Sequence, residues 1–407
     1  MPKTTIAQRT TWTKVAFGDV VQLSRERSGD PERDGHERFV GLEHIDPGDL
    51  RLRRWGNVAD GVTFTSVFRP GQVLFGKRRA YQRKVAVADF SGVCSGDIYV
   101  LEPKGNALLP ELLPFICQTE AFFEHAVGTS AGSLSPRTNW ESLASFEFTL
   151  PPIEEQRRIT QALEIARACC EGNGRILKAA EQLRSAHRDS KVAGQFNPRA
   201  TRLEDLSLPT GWRLLQAREL SIAAVTSGTT PSGGQDSADV ACRFIKVGDM
   251  SFDGSLVFGE QSSHVSREAF AETRTLHVQD GDVLTNIVGP PLGKVSVIPQ
   301  GFGSALINQA IVRFRMPSED LRDWFAEYLM SRWAKEWLFA RSKKTSGQRN
   351  INARTCGDLP VPIPPDLDLA QRLDALRAVR RSCELARSRS DNANAVFRAL
   401  MTEALIP

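Results

Sequence analysis

Eight consecutive residues, Lys77-Arg-Arg-Ala-Tyr-Gln-Arg-Lys84, bring together five cations, an aromatic ring and an amide. Cationic side chains neutralise phosphate oxygens, while forked guanidinium and amide groups match the edges of bases. Lys77, Arg78, Arg79, Tyr81, Gln82, Arg83 and Lys84 are therefore candidates for contact with a polyanion. Arg51, Arg53 and Arg54 form a second basic cluster ahead of them. Late in the chain, Arg341-Ser-Lys-Lys-Thr-Ser-Gly-Gln-Arg-Asn350 has the same character and supplies Lys343, Lys344, Gln348, Arg349 and Asn350. Thr229 and Thr230, at the head of Thr229-Thr-Pro-Ser-Gly-Gly-Gln235, join them, with Asn286 and Lys294 as supplementary candidates. Any one of these cations alone reads as a solvated surface charge. Only their grouping points to a ligand.

Residues for covalent chemistry are harder to find. An adenine methyltransferase carries Asn- or Asp-Pro-Pro followed by an aromatic ring. The three proline pairs here lie in Leu-Pro-Pro-Ile, Gly-Pro-Pro-Leu and Ile-Pro-Pro-Asp, and none fits. Gly289-Pro-Pro-Leu-Gly-Lys-Val295 is one residue short of a phosphate loop and lacks a hydroxyl residue after the lysine. The six histidines are dispersed, with no His-Glu-x-x-His pair. Asp282 with Lys294 is at most a faint imitation of a nuclease pair. Seven cysteines, an odd number without a Cys-x-x-Cys, argue against a zinc site or a disulfide framework. No catalytic, metal or cofactor site is expected. The net charge of +4 permits nucleic-acid binding without arguing for it. The chain contains no apolar run of membrane-spanning length and opens without a secretory leader, which predicts a cytoplasmic protein.

Stepping along the chain, the elements recur with a period of about 210 residues, too long for a solenoid and suited to a duplicated unit. Each half opens on a tryptophan, Trp12 or Trp212. A Phe-led strand follows, beginning at Phe39 or Phe244. Next come a glycine turn into a strand (Pro70-Gly-Gln-Val-Leu-Phe, Asp280-Gly-Asp-Val-Leu-Thr) and a Lys-Val strand at Lys84 or Lys294. A further strand leads to a helix, predicted at about 109–127 and 321–340. A small polar loop, a last strand and a proline pair (Pro151-Pro152, Pro364-Pro365) close each half.

After each proline pair the pattern turns helical. Glu154 and Glu155, like Asp366 and Asp368, suit the positive end of a helix dipole. An alternating three-four seam runs through Leu376, Val379, Cys383, Ala386, Ser390, Ala393, Phe397 and Leu400. A matching seam is expected at Ile159, Ala162, Ala166, Cys169, Asn173, Ile176, Ala180, Leu183 and His187. Paired antiparallel, such helices of about 38 residues would form a rod about 55 Å long with a globule at each end. Gly172 and Gly174, each about 1 kcal/mol worse than alanine in a helix, predict a bend or irregularity.

Leu150-Pro-Pro-Ile-Glu-Glu-Gln-Arg-Arg-Ile resembles the entry to the central conserved helix of type I restriction–modification specificity subunits. Thr229-Thr-Pro-Ser-Gly-Gly, Phe244-Ile-Lys-Val-Gly-Asp, Gly281-Asp-Val-Leu, Ile307-Asn-Gln-Ala and Gly347-Gln-Arg-Asn-Ile are similar to that family's recognition domains. The first half departs from the pattern, with Ser95-Gly96-Asp97 where the second has Asn308-Gln309 and no clear Thr-Pro opening. The resemblance implies an α+β fold with an internal pseudo-two-fold repeat. Two target-recognition domains, 1–150 and 193–363, would be joined by long antiparallel coiled-coil helices at 151–192 and 364–407.

It also implies a non-catalytic reader of double-stranded DNA. Its partners would be two adenine-N6 methyltransferase subunits, which hold the S-adenosylmethionine, with motor-nuclease subunits as an optional addition. Two diverged readers on one face of a duplex predict a bipartite, asymmetric target, its half-site centres about one helical turn, roughly 10 base pairs, apart. The alternatives are a specificity subunit of a methylation-based phage-defence system without a standard motor-nuclease, a DNA-acting nuclease, and a scaffold that does not touch DNA.

Overall fold

Each half closes on itself by pairing its first strand with its last, just before the long helix departs. Thr13–Ala16 pairs antiparallel with Glu147–Leu150, and Arg213–Gln216 pairs likewise with Pro360–Ile363. The computed structural model describes residues 12–132, 134–192, 208–230, 240–259, 262–273, 276–289, 291–303, 305–345 and 347–405. The chain divides into two compact units, Met1–Gly174 with Ser388–Pro407, and Arg175–Arg387.

Within the first unit an antiparallel sheet runs in the order Val21–Leu23, Ile98–Pro103, Val73–Gly76, Val85–Val87. A second sheet holds the parallel pair Arg38–Val40 and Gly92–Cys94. The second unit repeats the plan. Thr226–Ser227, Ile311–Phe314, Val283–Asn286 and Val295–Val297 form the antiparallel sheet, and Val240–Ile245 pairs parallel with Ala305–Ile307. Registers correspond too, with Val73 opposite Leu101 and Val283 opposite Phe314. Val73–Gly76, Val283–Asn286 and Ile311–Phe314 are buried at every position, as strands covered on both faces require. Phe17, Phe75, Phe115 and Phe122 fill the first core; Phe314, Trp324, Phe325 and Tyr328 fill the second. The one polar atom of the Trp324 ring donates to Pro362 O at 2.8 Å, so this large ring is buried without an orphan donor.

The helices expected at 109–127 and 321–340 are each broken. Leu113–Ile116 is followed by Glu120–Gly128, and Glu319–Met330 by Arg332–Ala340. Hydroxyls cause the breaks: Thr119 accepts from Phe122 N and Ser331 from Ala334 N, each capping a new helix. The polar loop expected near 345 is a hairpin, with Lys343–Thr345 paired to Gln348–Asn350 and Gly347 at positive φ in its tip.

Both long helices have 40 residues, Ile153–Val192 and Asp366–Leu405, about 60 Å each. In the first unit, Ile159 and Leu163 share a core with Phe397, Leu400 and Met401. In the second, Arg372 Nη1 donates to Lys191 O at 2.9 Å and Arg387 Nη2 to Glu181 at 2.9 Å. The pairing is antiparallel. The helix continues through Gly172 and Gly174 without a break, since two small propensity penalties do not outweigh packing along so long an element.

The seam of the terminal helix is as read, all eight positions buried or half-buried. In the central helix Ile159, Ala166, Asn173, Ala180 and His187 are likewise buried or half-buried, but the alternate positions differ. Ala162, Cys169, Ile176 and Leu183 face solvent, Ile176 and Leu183 being 57% and 61% exposed. Leu163, Cys170, Leu177 and Arg184, one residue later, point inward instead. Apolarity favoured Leu183 over Arg184, but Arg184 and Arg188 are the buried pair, because Glu327 meets both at 3.1 and 2.6 Å. The first unit builds the corresponding interface from hydrocarbon, with Phe397 edge-on to Phe115, ring centroids 6.4 Å apart.

Candidate nucleic-acid interface

The Lys77–Lys84 segment links two strands of the first sheet and carries a short 3-10 turn, Ala80–Gln82. Arg79 and Arg83, on either side, both sit at φ 54°, a left-handed conformation that costs a non-glycine residue about 1–2 kcal/mol. The strain holds Tyr81, 54% exposed, and Gln82 at the crest of the turn. Residues 134–138 pack alongside: Arg79 N donates to Pro136 O, Thr138 N to Lys77 O, and Arg78 Nε to Ser135 Oγ at 2.7 Å. The second unit builds the same three-stranded motif more regularly, from Val288–Gly289, Gln348–Asn350 and Lys343–Thr345. Loops far apart in sequence are thus brought together in each unit.

Many of the expected cations already have partners. Arg53 and Arg54 pair with Asp49 and Asp46 at 2.5 and 2.6 Å, and Arg51 reaches Glu171 on the central helix at 3.3 Å. Arg83 binds Glu120, and its hydrogen bond holds that carboxyl below its usual pKa. Burial pushes the Asp97 carboxyl up, but Arg137 and Arg78 more than offset this and keep it low. Lys77 rests its ammonium 4.7 Å from the Tyr99 ring centroid. Arg79 touches Ser135 Oγ at 3.2 Å and has no carboxylate partner among the described residues.

Lys84 and Lys294 do one structural job twice. Their ammonium groups donate to Leu42 O at 2.5 Å and Val247 O at 2.8 Å, tying each Lys-Val strand to a 3-10 turn. Asn286, a supplementary candidate, is spent: its amide donates to Val288 O and Pro291 O and accepts from Gly293 N and Lys294 N. That exhausts the group's hydrogen-bonding capacity. Asp282 is fully buried and bound by two nitrogens of Arg315, both at 2.7 Å, so it forms no acid–lysine pair with Lys294.

In the second unit, Lys343, Lys344 and Gln348 are exposed along the hairpin. Arg349 stacks on Phe339 at 3.7 Å and Arg341 on Trp337 at 3.9 Å, which orients both guanidinium planes. Asn350 lies opposite Val288 and Lys343 in the sheet. Thr229 N donates to Ile307 O, and Thr230 binds the side chain of Gln309, so the threonines lie beside Asn308-Gln309. The rest of that motif, residues 231–235, lies outside the described residues.

Sequence reading passed over one feature of the first unit, a groove of about 970 Å³ lined by Arg25, Arg27, Lys77 and Lys104. The local signal was the alternation Arg25-Glu26-Arg27, which on a strand puts both arginines on one face. Among the described residues no three His, Cys, Asp or Glu side chains are grouped to hold a metal ion. No described helix is long and apolar enough to cross a membrane.

Residues 10–182 match the model of the type I restriction modification DNA specificity domain. The type I restriction enzyme EcoDI specificity subunit of Escherichia coli is 31% identical over 106 residues, 26% of this chain and 23% of that one. The chain thus aligns with under a quarter of that relative's length. The MjaVIII specificity subunit of Methanocaldococcus jannaschii is 21% identical over 414 residues, covering 96% of this chain and 91% of that one. The solved type I restriction-modification S subunit of M. genitalium has a similar fold, with a TM-score of 0.58 and 11% identity over 100% of this chain and 99% of that one.

Proposed function

We propose that the chain is a member of the family of type I restriction–modification DNA specificity subunits, and that it reads a bipartite, asymmetric target in double-stranded DNA and brings adenine-N6 methyltransferase subunits to it. Specificity subunits are the non-catalytic, DNA-recognition members of their complexes. Residues 1–150 and 193–363 act as the two recognition domains, and the helices at 151–192 and 364–407 space them.

One observation carries the reading: a single fold plan occurs twice, with basic side chains presented from different loops of the plan in each copy. The first unit presents Arg79, Tyr81 and Gln82 on a strained turn. The second presents Lys343, Lys344, Gln348 and Arg349 on a β-hairpin, a shape that the major groove admits. Two unlike readers on one polypeptide suit two unlike half-sites. Lys84, Lys294 and Asn286 drop out of the contact set, because their polar atoms serve the fold.

Ile176 and Leu183, seven residues apart on the central helix of the second unit, leave an apolar patch open on one face, the pattern an added helix would cover. This supports docking of the methyltransferase subunits, which hold the S-adenosylmethionine. Motor-nuclease subunits would join the same assembly for restriction.

Co-expression with a cognate adenine methyltransferase, followed by mapping of N6-methylated adenines, tests the reading. The expected motif is two short unlike blocks around an unread spacer. Exchanging residues 1–150 for those of a homologue should change one block only. A single continuous motif would overturn it.

A further inference from the structure

The groove of the first unit is formed where the chain leaves the sheet at Leu23. Residues 24–28 continue as an extended segment pinned on both sides: Ser24 N donates to Val100 O, Val67 N to Glu26 O, and Ser28 N to Thr65 O. Pinned and extended, the segment alternates its side chains. Glu26 turns to one face, where Arg69 binds it bidentately at 2.5 and 2.8 Å, while Arg25 and Arg27 line the groove on the other.

Arg25 and Lys104 have no acidic partner among the described residues, and Arg27 reaches only the backbone oxygen of Glu26. Lys77 and the Tyr99 and Trp140 rings complete the walls. The one carboxylate there, Glu102, is held by the amides of Gln22 and Gln72 at 2.9 and 2.6 Å. Four cations against one engaged carboxylate give a concave surface of one sign, and low-dielectric walls focus such a field.

The repeat supplies an independent pointer. Ser24 meets Val100 as Thr226 meets Arg313, and Val100 and Arg313 hold the same register place in their sheets. Counting on from there, Arg27 of the first unit corresponds to Thr229 of the second, a residue singled out from sequence alone. One arginine of the first unit therefore stands where the second has Thr229.

We propose that Arg25, Arg27 and Lys104 clamp the phosphates of the DNA half-site read by the first unit, so that this groove, and not the Arg51–Arg54 cluster, holds the duplex backbone. The inference rests on the DNA-reading function above. Loss of a phosphate contact weakens binding to all sequences alike and makes the slope of log K against log salt shallower by about 0.9.

The test uses the full chain in complex with its methyltransferase. Binding of a duplex carrying the mapped target is titrated across salt for wild type, for R25A/R27A/K104A and for the charge-preserving R25K/R27K. The triple variant should lose roughly 2–3 units of slope, the Lys variant should keep the wild-type slope, and the methylated motif should stay unchanged. An unchanged slope in the triple variant, or an altered motif, overturns the clamp while leaving DNA recognition intact. Failure of the wild-type complex to bind any duplex overturns the function on which the clamp rests.

Discussion

Removing the Glu327 carboxylate should unfold the second unit far more readily than the loss of one surface charge would. Glu327 is 4% exposed, and Arg184 and Arg188, 7% and 5% exposed, share its two oxygens. Arg184 also donates to Asp253 O at 3.0 Å, yet its buried Nε has no partner. In Glu327→Ala two guanidinium groups stay in the interior without a counter-charge. Breaking a buried pair in this way costs about 3–5 kcal/mol. For a unit of this size each kcal/mol moves the midpoint by about 2–4 °C, so the melting temperature should fall by roughly 6–20 °C.

Calorimetry of the full chain, with tryptophan fluorescence as a second probe, reads the shift, and 0.5 M salt should not produce it in the wild type. A triple variant, Arg184→Leu, Arg188→Met and Glu327→Leu, copies the hydrocarbon solution that Phe397, Met401 and Phe115 provide in the first unit. Because the triad is incompletely hydrogen-bonded, the triple variant should recover wild-type stability or exceed it by about 1–4 kcal/mol. A cost below about 1 kcal/mol for Glu327→Ala, or a triple variant less stable than the single, would refute the account.

Lys84→Met and Lys294→Met should each destabilise the chain by about 1.5–3 kcal/mol in denaturant titrations, since each removes a charged donor from a backbone carbonyl, and neither should alter the salt slope of DNA binding. Under native conditions an alkylating reagent should label exposed Cys169 and spare Cys94 and Cys356, whose thiols burial pushes up to about 12; mass spectrometry of the adducts decides it. Burial raises the Asp253 carboxyl, but hydrogen bonds from Ser251, Ser255 and Arg387 win and leave it well below the usual range. A depressed carboxyl contributes stability in full above its unfolded pKa of about 3.9 and loses it as pH falls towards the folded value. Stability of the wild type should therefore decline below about pH 4 more steeply than that of Asp253→Asn, as measured by denaturation from pH 6 to pH 2.

Some features were legible because they are written locally. Strand and turn signals recurred in order, and the terminal helix carried its seam in residues three and four apart. Charge pairing was not legible in this way. Arg83 meets Glu120, Arg78 meets Asp97 and Lys84 meets Leu42 across separations that no window spans. The central helix shows the same limit. Leu183 and Arg184 compete for one inward position, and hydrophobicity chose the leucine, because the acid that buries the arginine is 143 residues away.

Duplication, fold class and the two long helices follow from the order of residue types, since periodicity and punctuation act over a few neighbours and survive without coordinates. Which cations remain open to a ligand does not. Arg53 and Arg25 are alike in sequence, but one is neutralised by Asp49 and the other lines a groove whose one carboxylate, Glu102, is held by two glutamine amides. Folding decides between them, because electrostatic attraction depends on distance in space and is indifferent to distance along the chain.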